Sequence, residues 1–162
     1  MKQIWDKFKT IKGSSLIGVF AKKLDTYLVN KDLLLHSVEP LLYIRKENPS
    51  DIKYWKIDWI EDSKGGDFLL LKEQNTPEPI KYELIDGPHQ KHIIMGSSFS
   101  FQPNIIANVS GYGFKDNNNE ILSSAVLELE DMFISIETGP VIEIRITKEE
   151  PSDLGSRIFT TS

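Results

Sequence analysis

The segment Asp131–Ile146, DMFISIETGPVIEIRI, sets two apolar-rich runs on either side of a Thr138-Gly139-Pro140 link. Met132, Ile134 and Ile136 recur at a spacing of two, and Ile142, Ile144 and Ile146 do the same after the link. That period belongs to a half-buried strand, so the segment reads as a β-hairpin. Pairing Ile136 with Ile142 keeps all six apolar residues on one face, with 134 opposite 144 and 132 opposite 146. Gly139 supplies flexibility in the link, and Pro140 falls where no ladder donor is needed. The other face then carries Phe133 opposite Arg145, Ser135 opposite Glu143 and Glu137 opposite Val141. Arg145 can stack on Phe133 while the glutamates face solvent. No base and nucleophile are brought together, so the face is suited to contact rather than reaction.

Working backwards, ILSSAVLELE (121–130) puts Ala125, Leu127 and Leu129 on one side and Glu128 and Glu130 on the other. The inward parity changes between Leu129 and Met132, which predicts a β-bulge or tight bend near Glu130–Asp131. KDNNNE (115–120) is a turn after the strand-like NIIANVSGYGF, in which Gly111 and Gly113 mark a close backbone approach. FSF and HIIM are short strand candidates interrupted by Pro103 and Gly96, and IKYELI alternates through Ile80, Tyr82 and Leu84. DFLLLKE (67–73) is apolar on both parities, as expected of a central strand covered on both faces. The glycines of EDSKGGD make a turn before it.

DIKYWKIDWI (51–60) alternates Trp55, Ile57 and Trp59 against Lys56 and Asp58. Ile52, Trp55 and Trp59 also fit helical spacing, but the aromatic and β-branched content favours a strand. SLIGVF, LLLHSV and PLLYIRK are further short strands. The first dozen residues place Ile4, Trp5, Phe8 and Ile11 on one helical face, ending at Gly13-Ser14-Ser15. The expectation is one domain over 1–162 of α+β class. It is mainly antiparallel, built as a strongly curved sheet or open barrel with a short N-terminal helix.

A chain of 162 residues is long enough to bury a core without staples, and with no cysteine it has no thiolate metal site or cysteine nucleophile. The N-terminal segment has no uninterrupted apolar run of signal-peptide length, and no run approaches the length of a membrane span. A soluble cytoplasmic protein with no membrane partner is therefore expected. The net charge of −5 is unevenly spread: residues 1–31 hold seven lysines against two acids, and residues 120–162 hold nine acids against three basic residues. An acidic face disfavours direct nucleic-acid binding, which needs a basic patch.

The three histidines are His36, His89 and His92. HQKH (89–92) follows Gly87-Pro88 and reads as a loop with surface histidines, and His36 reads as a strand residue with a satisfied ring. Neither supplies a zinc ligand set. MGSSFS lacks the second glycine of a nucleophile elbow, and SGYGF lacks a phosphate-loop lysine. Trp55, Asp58, Trp59, Glu61 and Asp62 imitate a sugar cleft, yet on a strand Asp58 points away from both tryptophans. No catalytic residue, metal or cofactor is assigned. The candidate partner-binding residues are Glu128, Glu130, Phe133, Glu137, Glu143 and Arg145.

The short charged N-terminal helix, SVEPLLYI, DWIEDSKGGD and the closing ISIETGPVIEIRIT with PSDLG resemble small acidic, cysteine-free proteins of bacterial toxin–immunity gene clusters. The resemblance covers most of the chain in style and transfers no site residue. It implies a non-enzymatic inhibitor that binds a toxin domain and blocks it, the acidic C-terminal region complementing a basic cleft such as a nuclease carries. The alternative is a small-ligand binder or enzyme with a pocket inside a curved sheet, using tryptophan or histidine side chains.

Overall fold

A computed structural model describes residues 2–48, 50–61, 63–87 and 91–162. It contains one helix, α1 (Lys2–Lys9), followed by β1 (Ser15–Ala21), β2 (Asp25–Val29), β3 (Asp32–Ser37), β4 (Leu41–Arg45) and β5 (Ile52–Glu61). Next come β6 (Asp67–Gln74), β7 (Tyr82–Leu84), β8 (His92–Ile94), β9 (Ser97–Ile105) and β10 (Asn108–Asp116). The chain ends with β11 (Asn119–Glu128), β12 (Phe133–Glu137), β13 (Ile142–Thr147) and β14 (Ser156–Thr160). Among the described residues no helix is long and apolar enough to cross a membrane.

The strands form a five-stranded sheet in the order β6-β5-β4-β1-β9 and a seven-stranded sheet in the order β14-β10-β11-β12-β13-β3-β2. The pairings within both are antiparallel. The sheets face each other across one apolar core and do not close into a barrel. Trp55, Ile57, Leu16 and Val19 come from one sheet, and Leu35, Leu127, Ile134, Ile136, Ile142 and Ile144 from the other; none is exposed to water. This is the two-layer solution for sheets that are each apolar on one face.

The N-terminal helix has a structural task that its sequence pattern explains. Trp5, Phe8 and Ile11 point inward, the rings of Phe8 and Trp55 meet edge-on at 5.0 Å, and Trp5 packs against Phe159 of β14 at 6.0 Å. One helical face thus bridges the two sheets. Lys7 on Glu73 of β6 and Lys2 near Glu120 of β11 repeat the bridge at the surface.

The five-stranded sheet is covered on both sides. Its outer face carries Leu41, Tyr43, Ile52 and Tyr54, buried beneath Ile80 and the small β7–β8 ribbon. His92 of β8 belongs to this second cluster. It is buried rather than a surface loop residue: its Nδ1 and the Tyr54 hydroxyl share a hydrogen bond of 2.9 Å, and its ring meets those of Tyr54 and Tyr82 edge-on. Burial, then the charge of Lys91, lowers the His92 pKa below its ordinary value, and burial raises that of Tyr54. His89 lies outside the described residues.

Several expectations are met and others corrected. α1, the strand at 52–61, the KDNNNE turn and the turn across Gly65 are all present; Asn117 and Asn118 form a two-residue hairpin loop, both with positive φ. The bend near Glu130–Asp131 is a hairpin turn closed by the Leu129 amide donating to the Met132 carbonyl. β6, by contrast, is an edge strand and not a central one. Its second apolar parity, Phe68 and Leu70, is only half-buried, while Leu69 and Leu71 reach the core. Strand β9 continues through Pro103 with a shift of register, tolerable because β9 is also at an edge and its outer side needs no amide donor. The β12–β13 register differs by two residues: Ile136 pairs with Ile144, Ser135 with Arg145, Glu137 with Glu143 and Phe133 with Thr147. A shift of two preserves the core face but changes every cross-strand partner.

The close approach at SGYGF is real. A Cβ on Gly113 would run into the Ile121 carbonyl oxygen, whereas one on Gly111 would meet the ring edge of Phe159 and a methyl of Leu122. Backbone cannot yield as side-chain ends can. Gly113→Ala is therefore expected to lower unfolding stability by about 3 kcal/mol and Gly111→Ala by about 1 kcal/mol. Urea denaturation reads both as a fall in midpoint at unchanged slope. Equal costs would show that the strand shifts freely at both glycines.

Candidate outer-face site

The face of the seven-stranded sheet turned away from the core is where the charged side chains converge. On β12 and β13, Glu137 lies directly opposite Glu143, and Glu143 in turn lies opposite His36 of β3. His36 Nε2 donates to Glu143 Oε1 at 3.1 Å. Arg145 reaches Asp32 of β3 through one guanidinium nitrogen at 3.2 Å and Glu143 through the other at 3.8 Å. Tyr27 of β2 sets its ring 5.0 Å from that of His36. The β12–β13 hairpin and β3, distant from it in sequence, thus supply one charge network: Asp32, Arg145, Glu143 and His36 in a chain, with Glu137 facing Glu143.

Like charges placed directly opposite on neighbouring strands destabilise a sheet. Here the conflict settles on Glu137. Partial burial, the charge of Glu143 and a hydrogen bond shared with it all raise the Glu137 pKa, and Arg145 only partly opposes them. Glu143 in turn holds both His36 and Arg145.

Why these residues gather has a topological answer. β13 lies between β12 and β3, but the chain must next reach β14 at the far edge of the sheet. Residues 148–155 make that journey across the outer face: Glu150 and Pro151 lie beside Ser135 and Glu137, and beside Tyr112 and Phe133 further on. Ser135 and Thr147 are buried although they face away from the core. Thr147 Oγ1 anchors the start of the segment by donating to the Glu149 carbonyl at 2.6 Å. Between this segment and the β2–β3 turn lies an open groove of about 710 Å³, with Asp32, Glu137 and Arg145 on its walls and Lys31 and Lys148 at its margins. A smaller hollow of about 310 Å³ beside His36 is lined by Lys22, Lys23, Asp25 and Val141.

Of the six residues expected to meet a partner, Glu137, Glu143 and Arg145 stand together in this network. Phe133 and Glu128 lie farther along the same face, beside the crossing segment, and Asn108 Nδ2 donates to Glu128 Oε2 at 2.6 Å. Arg145 does not stack on Phe133; the two-residue register difference sends its guanidinium to Asp32 instead. Glu130 is elsewhere. It sits on the β11–β12 turn, its amide donating to Asn104 Oδ1 at 3.1 Å, beside a separate cleft floored by Phe99, Phe101 and Met132. Asp32 and His36 belong to the network although their sequence context does not mark them. Among the described residues, no group of three or more histidine and carboxylate side chains has metal-holding geometry.

The raised Glu137 value sets a sign for the pH dependence. A carboxyl that holds its proton more tightly when folded than when unfolded costs stability as pH rises above the ordinary glutamate value of 4.5. Glu137→Gln, neutral at every pH, is therefore expected to melt higher than the parent at pH 7 and at the same temperature below pH 4.5. Glu143→Gln abandons His36 and Arg145 and is expected to gain less. Melting curves at the two pH values decide this, and an unchanged Glu137→Gln melting temperature at pH 7 would show that the pair is not in conflict.

No protein-family model matches the chain, and neither a curated protein nor a solved structure matches it.

Proposed function

We propose that the chain is a non-enzymatic binding protein of the cytoplasm, of the immunity type, that covers a basic region of a partner protein with the outer face of its seven-stranded sheet. One observation carries the reading. Glu137, on the wall of an open groove, is held opposite Glu143 on the neighbouring strand, an arrangement that costs the free protein stability. A lysine or arginine head group entering the groove would neutralise that repulsion, so the same two acids that weaken the free fold strengthen a complex. Residues at functional sites commonly depart from what stability alone would choose. The acidic excess of residues 120–162 adds a long-range attraction for a basic surface, which raises the association rate and makes it salt-dependent.

The test is inhibition of the toxin domain encoded beside this chain's own gene. The expected result is a stable complex that abolishes toxin activity, with Glu137→Gln/Glu143→Gln weakening the complex at least tenfold although the free variant folds. A neighbouring product that neither binds nor is inhibited, or a double variant that inhibits as well as the parent, overturns the proposal.

The groove volume and the proton-holding Glu137 favour a second reading, a small-ligand binder or an enzyme with its pocket on a strongly curved sheet. A small cation would then replace the partner's side chain. Calorimetric titration with a diamine separates the two: saturable binding lost in Glu137→Gln favours the small ligand.

A further inference from the structure

Two facing sheets leave a gap along each flank, and in this chain the two gaps are closed unequally. On one flank α1 inserts the rings of Trp5 and Phe8, against Phe159 of β14 and Trp55 of β5. The same helix sets ammonium groups on carboxylates at the sheet margins, Lys7 on Glu73 and Lys2 on Glu120. An aromatic ring between the sheets with an ammonium on a rim carboxylate is thus the combination the chain itself uses to close such a gap.

The other flank has the floor and the rim but no plug among the described residues. β9 and the β11–β12 turn border an open cleft of about 500 Å³, a size suited to a small organic ligand. Phe99 and Phe101 floor it, their rings edge to face at 5.2 Å, together with Met132 and Ile146. All four are half-buried side chains packed on the margin of the main core. The rim carries Glu130 and Asp131, both exposed. The cleft has no lysine, arginine or histidine among its described lining residues, and neither rim carboxylate takes part in an ion pair among them.

The cleft is held in shape from both sides. Asn104 ties the rim to β9, its Nδ2 donating to Asp131 Oδ1 at 2.8 Å and its Oδ1 accepting from the Glu130 amide at 3.1 Å. On the floor side, residues 101–103 of β9 lie where β1 has only Ile17, between the pairs Leu16–Asn104 and Gly18–Ser100. Such a bulge bends a strand and re-aims its side chains, and this one includes Phe101.

We propose that this cleft binds an arylalkyl amine, with its ring laid on Phe99 and Phe101 and its ammonium held by Glu130 and Asp131. Aromatic rings pair edge-on or offset and attract a cation to their faces, so the floor accepts the ring and favours the charge beside it. A carboxylate ligand would meet two like charges at the rim, and a neutral aromatic would leave both acids without a counter-ion. The inference is independent of both readings above, because the cleft shares no lining residue with the Glu137 groove.

Calorimetric titration of the full chain with phenethylamine tests this, with phenethyl alcohol as the uncharged counterpart and phenylacetate as the anionic one. The expected result is one amine site per chain with a dissociation constant of about 1 mM or tighter, and roughly tenfold weaker binding of the alcohol and the anion. Glu130→Gln/Asp131→Asn removes the charge but leaves Asn104 its acceptor at 131 and its donor at the 130 amide. That variant is expected to weaken the amine roughly tenfold, as is Phe101→Ala, whereas Glu137→Gln is expected to leave it unchanged. The charge variant keeps the test decisive should Phe101→Ala fail to fold. Absence of saturable amine binding, equal binding of the alcohol, or indifference to the charge variant each overturns the proposal. So does amine binding abolished by Glu137→Gln, which places the amine in the other groove. A cleft that takes a peptide bearing phenylalanine and lysine but no free amine overturns it as well.

Discussion

Two broad apolar sheet faces must be kept from water, and among the described residues one eight-residue helix is the only helix to help. The faces meet that demand by covering each other, and the isoleucine side of β12–β13 is the centre of the contact. Ile134, Ile136, Ile142 and Ile144 have no exposed surface. Each such side chain is worth about 1.5–3 kcal/mol when buried, whereas an exposed ion pair is worth about 0–1 kcal/mol. The inner face therefore decides the fold, and the charged outer face is free to serve another purpose. That division of labour is why a pair of opposed glutamates can persist in the middle of a sheet.

The helix completes what the sheets cannot do alone. Facing sheets leave a gap along each side, and α1 fills one by laying Trp5 and Phe8 against β14 and β5. The other side is less completely sealed. There the Asn104 side chain ties β9 to the β11–β12 turn, donating to Asp131 and accepting from the Glu130 amide, and leaves the cleft floored by Phe99 and Phe101 open. The molecule is thus closed along one flank and accessible along the other.

How much of this was readable from the residues follows from which interactions are local. Period-two patterning identifies the core faces of 52–61 and 132–146 because it depends only on neighbouring positions. The same periodicity hides register, since moving a strand by two residues leaves every isoleucine on the face where it began. Strand order is hidden too. Nothing within LLLHSV or VIEIRI says that His36 will stand opposite Glu143, 107 residues away, so the charge network had no local signature. Nothing local marks β2, whose turn contains no glycine, or β14, whose five residues alternate too briefly. His92 looked like a loop residue until Tyr54, on the strand beneath it, supplied a hydrogen-bond partner.

The passage of residues 148–155 over the outer face has a mechanical consequence. The segment forms one wall of the groove and runs directly into β14, whose Phe159 bears on Trp5 of the helix. Gly155 lies so close to the Gly113 carbonyl that a Cβ there would approach it to 2.8 Å, which leaves little slack at the junction. The wall of the groove and the ring that packs on the N-terminal helix thus belong to one short stretch of chain. A change of backbone at Gly155 would therefore be expected to alter both the groove and the contact of Phe159 with Trp5.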